Sequence, residues 1–330
     1  MVPPASSDPP AARGSTRKID LIAPPEVAGL RLDVALTRLA PDLSRARIQK
    51  LVEDGRVRVA GRSIKAAAKL RGGERLEVEV PPPEPSSVEA QDLPLTILFE
   101  DRDLLVLDKA AGMVVHPARG SPHSTVVNAL LHHLGPGGPD GARLGLVHRL
   151  DKDTSGCLVV AKRETSLAAL QASFKAHQVE KVYLALCHGR PAPRGHLDTP
   201  YGRHPTSRLR FTSKLPSERR AVTDWRLVEP FEAAALVEVT LQTGRTHQIR
   251  VHLSEHGHPL LADETYGGAR REARLPEESP VRRAAQAIGR QALHAARLAF
   301  DHPRTGKRLA VEAPLPADFA AALEILRHHT

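Results

Sequence analysis

The chain has 330 residues, with 47 Lys and Arg against 38 Asp and Glu and a formal net charge of +9 at pH 7. That length accommodates two domains and a sizeable core, and the basic balance favours nucleic acid or anionic lipid as a partner. No apolar run approaches the ~20 residues of a membrane helix, and no signal-peptide core follows the N-terminus. Cys157 and Cys187 sit in strand-like apolar runs as core residues rather than a disulfide or metal pair. A reduced, cytoplasmic protein is the expectation.

Residues 1–20, rich in Pro, Ala, Ser and Gly, are expected to form a disordered tail. A small unit is expected over residues 25–80. Leu32, Ala35, Leu36 and Leu39 recur at helical spacing, and Pro41 would end that helix. Ser44 can cap a second helix with the apolar face Ile48, Leu51 and Val52, and Gly55 suits its C-terminal turn. Val57 and Val59, then Leu76, Val78 and Val80, alternate as short strands next to the Ala60-Gly61 and Gly72-Gly73 turns. Between Val27 and Val80 stand 12 basic residues against 7 acidic ones. Arg45, Arg47, Lys50, Arg56 and Arg58 fall close together and would line one edge with positive charge able to grip phosphates. An ordinary solvated helix face is the alternative.

Residues 81–92 open on three prolines and read as an extended linker. From residue 93 to 330 the chain reads as one larger α+β domain. Leu95 to Phe99 and Leu104 to Leu107 flank a turn as a hairpin. Leu167, Leu170 and Phe174 mark a helix, and strands are expected around Tyr183 to His188, Val222 to Val228, and Ala235 to Leu241. The segment 269–290 carries six arginines against three glutamates. It reads either as a mobile loop that contacts RNA or as a variable insertion.

The densest functional stretch is Gly145-Leu146-Val147-His148-Arg149-Leu150-Asp151-Lys152-Asp153-Thr154-Ser155-Gly156, followed directly by the apolar run Cys157 to Ala161. A loop this rich in functional groups, locked to a buried strand, holds a reactive side chain rigidly. Asp151 alone is a weak signal, since most aspartates are surface or capping residues, and Thr154 and Ser155 suit a turn. Two further blocks stand beside it. One is Lys181-Val182-Tyr183-Leu184-Ala185. The other is Leu241-Gln242-Thr243-Gly244-Arg245-Thr246-His247-Gln248-Ile249-Arg250-Val251-His252.

Other chemistries fit poorly. Gaps of five and four residues spread His247, His252 and His256 around a helix instead of gathering them on a metal. In Asp151-Lys152-Asp153-Thr154 the threonine comes one residue early for the aspartyl phosphatase motif, and no nucleotide-sugar domain accompanies the D-x-D. The glycines form no Walker or Rossmann loop. Trp225 belongs to a strand-like run and is expected in the core.

Together the three blocks resemble the RluA/RluD family of pseudouridine synthases, whose signature H-R-L-D-x-x-T-S-G matches residues 148–156. The N-terminal unit, with Ser44-Arg45-Ala46-Arg47 opening its second helix, resembles the S-four (alpha-L) RNA-binding domain. The resemblance implies a small N-terminal α/β RNA-binding domain before a catalytic α+β domain with a mixed, mostly antiparallel sheet. It implies Asp151 as catalytic carboxylate, Arg250 as its partner and Tyr183 as the residue over the target base. Arg149 would intrude into the flipped RNA or, alternatively, contact a phosphate, and His148, Leu241, Arg245 and His247 would complete the substrate site. Val115-His116-Pro117, residues 203–206, Tyr266-Gly267-Gly268 and residues 290–295 favour the RluD-like branch, which modifies large-subunit rRNA in the helix 69 loop. An isomerisation requires no metal or redox cofactor, and no obligatory protein partner is expected. Two rivals stay open: a non-catalytic ribosome-assembly factor, and a hydrolase that releases free uracil.

Overall fold

Ile19 and Leu21 alternate with polar neighbours, and in a computed structural model of the chain they lie on a strand, β1 (Arg17–Ile22). The structure describes residues 16–40, 43, 45–81, 88–117, 121–135, 145–207 and 209–328. The helix end expected at Pro41, the Ser44 cap, residues 1–15 of the expected tail and most of the proline run lie outside them. The chain divides into two units, Met1–Pro85 and Ser86–Thr330.

The first unit continues from β1 with α1 (Leu32–Leu39), α2 (Arg45–Glu53), β2 (Val57–Val59) and β3 (Arg75–Val80). The expected apolar faces meet in one core, where Leu32, Ala35 and Leu36 of α1 and Ile48 and Leu51 of α2 pack on Val57, Val59, Leu76 and Val78. Gly55 follows α2 at φ +70. Its N–H donates to Val52 O at 3.1 Å and that of Arg56 to Leu51 O at 2.8 Å, which closes the helix. The sheet corrects the expected tail. β3 pairs antiparallel with β2 on one side and with β1 on the other, Arg17 opposite Val80 and Ile22 opposite Arg75. Residues 17–20 of the expected tail therefore belong to the sheet, because a long-range pairing with β3 satisfies the backbone of this short alternating stretch.

Asp33 is the buried polar hub of this unit. Its carboxylate accepts from Arg31 Nε (3.0 Å), Arg45 Nη2 (2.8 Å) and Gln49 Nε2 (2.7 Å) and is fully buried. Burial alone would raise its pKa, but these donors hold it well below the usual carboxylate range. A carboxylate depressed in this way contributes stability above its unfolded pKa of about 3.9, which is lost as pH falls below that value. Asp33→Ala is expected to cost about 1–3 kcal/mol, read as a lower urea midpoint for the first unfolding step at pH 7, with a smaller difference from wild type at pH 3. Equal midpoints at pH 7 would overturn the assignment.

The second unit holds β4 (Thr96–Glu100), β5 (Leu104–Lys109), α3 (Val126–Leu134), β6 (Gly145–Leu146), β7 (Ser155–Ala161), α4 (Glu164–Lys175), β8 (Glu180–His188), β9 (Arg194–Pro200), β10 (Gly202–Arg203), β11 (Phe211–Thr212), β12 (Arg220–Pro230) and β13 (Ala234–Leu241). It closes with α5 (Gln248–Glu255), α6 (Gly268–Glu272), α7 (Pro280–Ile288), β14 (Leu293–Asp301), β15 (Arg308–Glu312) and α8 (Ala317–Arg327). The main sheet runs β4-β5-β7-β14-β8-β13-β12-β9, with β15 on β14 and β6 on β7. Among the described residues its one parallel pair is β7 with β14, so the sheet is mixed and mostly antiparallel as expected. The predicted hairpin, α4 and the three later strands all form. Cys157 and Cys187 are free and buried, and Trp225 is buried in β12.

Two expectations change here. The linker ends before residue 88. Val88 packs on the core, Asn128 Nδ2 donates to Glu89 O at 2.8 Å, and Gln91 N–H donates to Asn128 O at 3.0 Å. The segment 269–290 is not a loop, because it contains α7 and most of α6. Val281, Ala284, Ala285 and Ile288 of α7 form a helical stripe against Phe319, Ala322, Leu323 and Leu326 of α8. Arginines on the opposite face masked this stripe in a reading by charge.

Candidate active site

The loop that carries Asp151 ends where β7 enters the sheet beside β14, and Gly156 is the reason it can approach so closely. Gly156 has φ +108, and a Cβ there would stand 2.2 Å from Ala295 O. The loop is then tied down by buried cations. Lys109 Nζ donates to Ala110 O (2.7 Å), Met113 O (2.9 Å) and Lys152 O (2.9 Å). Burial pulls Lys109 down to about 8, against the pull of the nearby carboxylates of Asp153 and Asp151. Arg290 Nη1 donates to Asp153 O at 2.8 Å, and its Nε pairs with Asp318 on α8 at 2.6 Å. Thr154 N–H closes the turn onto Asp151 O at 3.1 Å. Both carbonyls after Asp151 are thus engaged by cations, which restricts the direction of its side chain.

Arg250 meets Asp151 from α5. Its Nη1 donates to Asp151 Oδ2 at 3.2 Å, while Nε and Nη2 form a fork on Asp263 at 2.7 and 3.0 Å. The Tyr266 ring lies 5.2 Å from the guanidinium carbon. Burial opposes the charge, but the Asp263 and Asp151 carboxylates raise the Arg250 pKa above its ordinary value, so it remains a cation. Asp263 is itself fixed by a turn, its Oδ1 accepting from the N–H groups of Thr265 (2.9 Å) and Tyr266 (3.0 Å). The Oδ1 of Asp151 receives no hydrogen bond from the described residues and is open to a substrate.

His247 Nε2 stands 3.8 Å from Asp151 Oδ2 and its Nδ1 2.9 Å from the Tyr266 hydroxyl. The Tyr266 oxygen accepts from Phe211 N–H at 3.0 Å, so its own proton is available to His247 Nδ1. Burial lowers the His247 pKa against the pull of Asp151. A neutral imidazole accepts from the Tyr266 hydroxyl at Nδ1 and turns its Nε2–H toward Asp151 beyond hydrogen-bond distance. Gln248 supports this end of α5, accepting from Thr243 Oγ1 (2.7 Å) and Arg245 N–H (3.0 Å) and donating to Val222 O (2.9 Å).

All eight sequence-predicted catalytic and substrate residues border one cavity of about 870 Å³. Tyr183 comes from β8 and is 8 % exposed. Burial, and secondarily the Asp151 charge, pushes its phenol pKa up, so it is a neutral hydroxyl and a stacking face. Leu241 is a buried wall at the end of β13. Arg149 is exposed at the rim. Arg245 is also exposed, with Nε held on Arg220 O at 3.0 Å.

His148 is chiefly a scaffold. Its Nε2 accepts from Val159 N–H at 3.0 Å and its ring stacks on Phe174 at 4.9 Å. Burial, then the Lys181 charge, lowers it to about 3, so it is neutral at pH 7. In the first unit, Arg45, Lys50, Arg56 and Arg58 are exposed; Arg45 also donates to Asp33, and Arg47 donates to Pro81 O at 3.2 Å. Part of the basic edge therefore also serves as scaffold.

The histidines of α5 do not converge on a metal. His252 is held between the hydroxyls of Thr223 (2.8 Å) and Thr199 (2.9 Å), and His256 packs against Trp225. Among the described residues, Asp101, Asp103 and His302 do gather ligand-type atoms. Asp101 is taken up by the N–H groups of Asp103 and Leu104 and by His302, and Asp103 pairs with Arg304. The sequence reading overlooked Asp263, Lys109 and Gln248 and gave Arg290 no role. Asp263 stands three residues before the Tyr266-Gly267-Gly268 block, a spacing suited to a side chain that caps its own turn.

Comparisons with known proteins show the family of the chain. Residues 103–255 match the family model described as RNA pseudouridylate synthase, and residues 30–76 match the S4 domain. A Zymomonas mobilis protein named ribosomal large subunit pseudouridine synthase D is 42% identical over 309 residues, covering 91% of this chain and 95% of the relative. A Vibrio parahaemolyticus protein of the same name is 42% identical over 305 residues, covering 92% of each. Among solved structures, human RNA Pseudouridylate Synthase Domain Containing 1 superimposes with a TM-score of 0.54 at 29% identity, over 72% of this chain and 90% of that one.

Proposed function

The chain belongs to the RNA pseudouridylate synthase family, and from that membership we propose that it isomerises uridines of large-subunit rRNA in the loop of helix 69, in the cytoplasm, with Asp151 as its catalytic carboxylate. The observation that carries the reading is the Asp151 carboxylate itself, with one oxygen held by Arg250 and the other open to the cavity beside Tyr183.

The reaction breaks the bond from ribose C1′ to uracil N1 and forms one from C1′ to C5, and the proton at C5 leaves as N1 gains one. The open Asp151 oxygen either attacks C1′ or takes the 2′ proton to begin a glycal route. Arg250 aims the carboxylate by a charge-assisted bond. Tyr183 stacks on the uracil and holds it while it turns. Flipping the base out costs a few kcal/mol, and exposed Arg149 at the rim fills the space it leaves. The basic edge of the first unit grips RNA phosphates, with Arg56, Arg58 and Lys50 in the lead. The names of the relatives and the S4 domain support rRNA as substrate.

The test is carbodiimide-dependent reverse-transcription mapping of large-subunit rRNA from cells lacking the protein. Stops in the helix 69 loop are expected to vanish and to return on complementation. Stops that persist without the protein would discard this target.

A further inference from the structure

The reaction above accounts for Asp151, Arg250 and Tyr183 but leaves one buried cation of the cavity unused. Lys181 lies on β8 two residues before Tyr183, and strand geometry places both on the same sheet face about 7 Å apart. Both border the cavity. Lys181 is only 6% exposed, yet among the described residues no carboxylate pairs with it. Its Nζ makes one hydrogen bond, to Gln242 O at 3.0 Å, and lies 5.9 Å from the Phe174 ring centroid. An ammonium has three donors, so two remain for a ligand.

A buried charge without a counter-charge is costly. Burial lowers the Lys181 pKa to about 8 with no carboxylate opposing it. Lys109, the other buried lysine of this unit, has several carboxylates and three carbonyl acceptors around it. Around Lys181 the cavity wall is cationic or neutral. Lys175 and His177 are exposed at its border, His177 Nδ1 lies 2.7 Å from the same Gln242 carbonyl, and neutral His148 stacks on Phe174. An anionic ligand group would supply the counter-charge that these residues lack.

We propose that Lys181 binds the phosphodiester next to the target uridine, in a lobe of the cavity bordered by Phe174, Lys175 and His177. The inference rests on the reading of the cavity as an RNA site. Its role is to register the strand, so that a base stacked on Tyr183 presents its ribose to Asp151. Tethering Gln242 alone would make Lys181 structural, and the experiment separates the two roles.

RNA binding by the full chain is measured over a salt series with a synthetic helix 69 stem-loop, either unmodified or carrying one neutral methylphosphonate on one side or the other of the target uridine. Wild type, Lys181→Met and Lys181→Arg are compared. Lys181→Met is expected to weaken binding roughly 10-fold and to reduce the slope of log affinity against log salt by about 0.7–1, and Lys181→Arg to retain most of both. One methylphosphonate should weaken wild type comparably and leave Lys181→Met unaffected, as coupling between contacting groups requires. Losses that simply multiply, or an unchanged salt slope, would overturn the proposal. Pseudouridine formation by wild type on the unmodified stem-loop is scored in parallel. No product there overturns the target assignment, whereas product without coupling overturns the Lys181 subsite alone.

Discussion

Asp151→Asn is expected to lower the rate of pseudouridine formation by on the order of 10⁴-fold or more, while RNA affinity and the unfolding midpoint stay close to wild type. The amide is nearly isosteric and its oxygen still accepts from Arg250 Nη1, so the loop held by Lys109 and Arg290 has no cause to move. What disappears is the anionic oxygen that opens to the cavity, and with it both candidate first steps. Release of the C5 hydrogen from RNA labelled at that position, under single-turnover conditions, reads the chemistry apart from product release. Near-normal release by the variant would end the assignment of Asp151. The same assay tests the hydrolase rival, because a cleaved N-glycosidic bond liberates free uracil and an isomerised one does not.

Arg250→Met is expected to cost both stability and activity. Arg250 is 7% exposed at its side chain and Asp263 is fully buried, with two of its four carboxylate hydrogen bonds made by the guanidinium fork. Removing the cation leaves a buried carboxylate without its charge partner, a change that costs about 3–5 kcal/mol when one member of a buried pair is lost. Asp151 loses its orienting donor in the same step. The expected result is a markedly lower denaturant midpoint for the second unfolding step together with turnover at the level of Asp151→Asn. Lys in place of Arg keeps the charge but cannot present a fork to Asp263 while also reaching Asp151. Arg250→Lys should therefore recover much of the stability and little of the rate. An Arg250→Met protein as stable as wild type would show that Asp263 finds other partners and that the bridge is not structural.

Much of the site was legible from local sequence because its chemistry is concentrated in short blocks. Asp151, Tyr183 and Arg250 each stand in a segment whose flanks declare the element that carries them: a loop before an apolar strand, an alternating strand, and a loop opening into a helix. Residues whose partners are far away in sequence were not legible. Asp263 has meaning only once α5 brings Arg250 beside it, and Arg290 only once β14 and α8 enclose the loop that follows Asp151. Arg45 has two aspects: its position in a basic cluster suggested RNA, and the packing of α1 on α2 also sets it on Asp33 while half of its side chain stays in solvent. The strand β1 and the helices α6 and α7 were missed for the same reason. Pairing with β3 stabilises β1 and packing on α8 stabilises α7, on which α6 in turn rests, and neither β3 nor α8 is adjacent to its partner in the chain.

By itself the sequence determined the two-unit plan, the strand and helix periods of both cores, and the three blocks that bear the reaction, because period and spacing are local properties of the chain. Only the tertiary structure decided which charges are scaffold and which face the cavity. Hydrogen-bond partners and burial set the state and direction of an ionisable side chain, and both arise from contacts between distant segments.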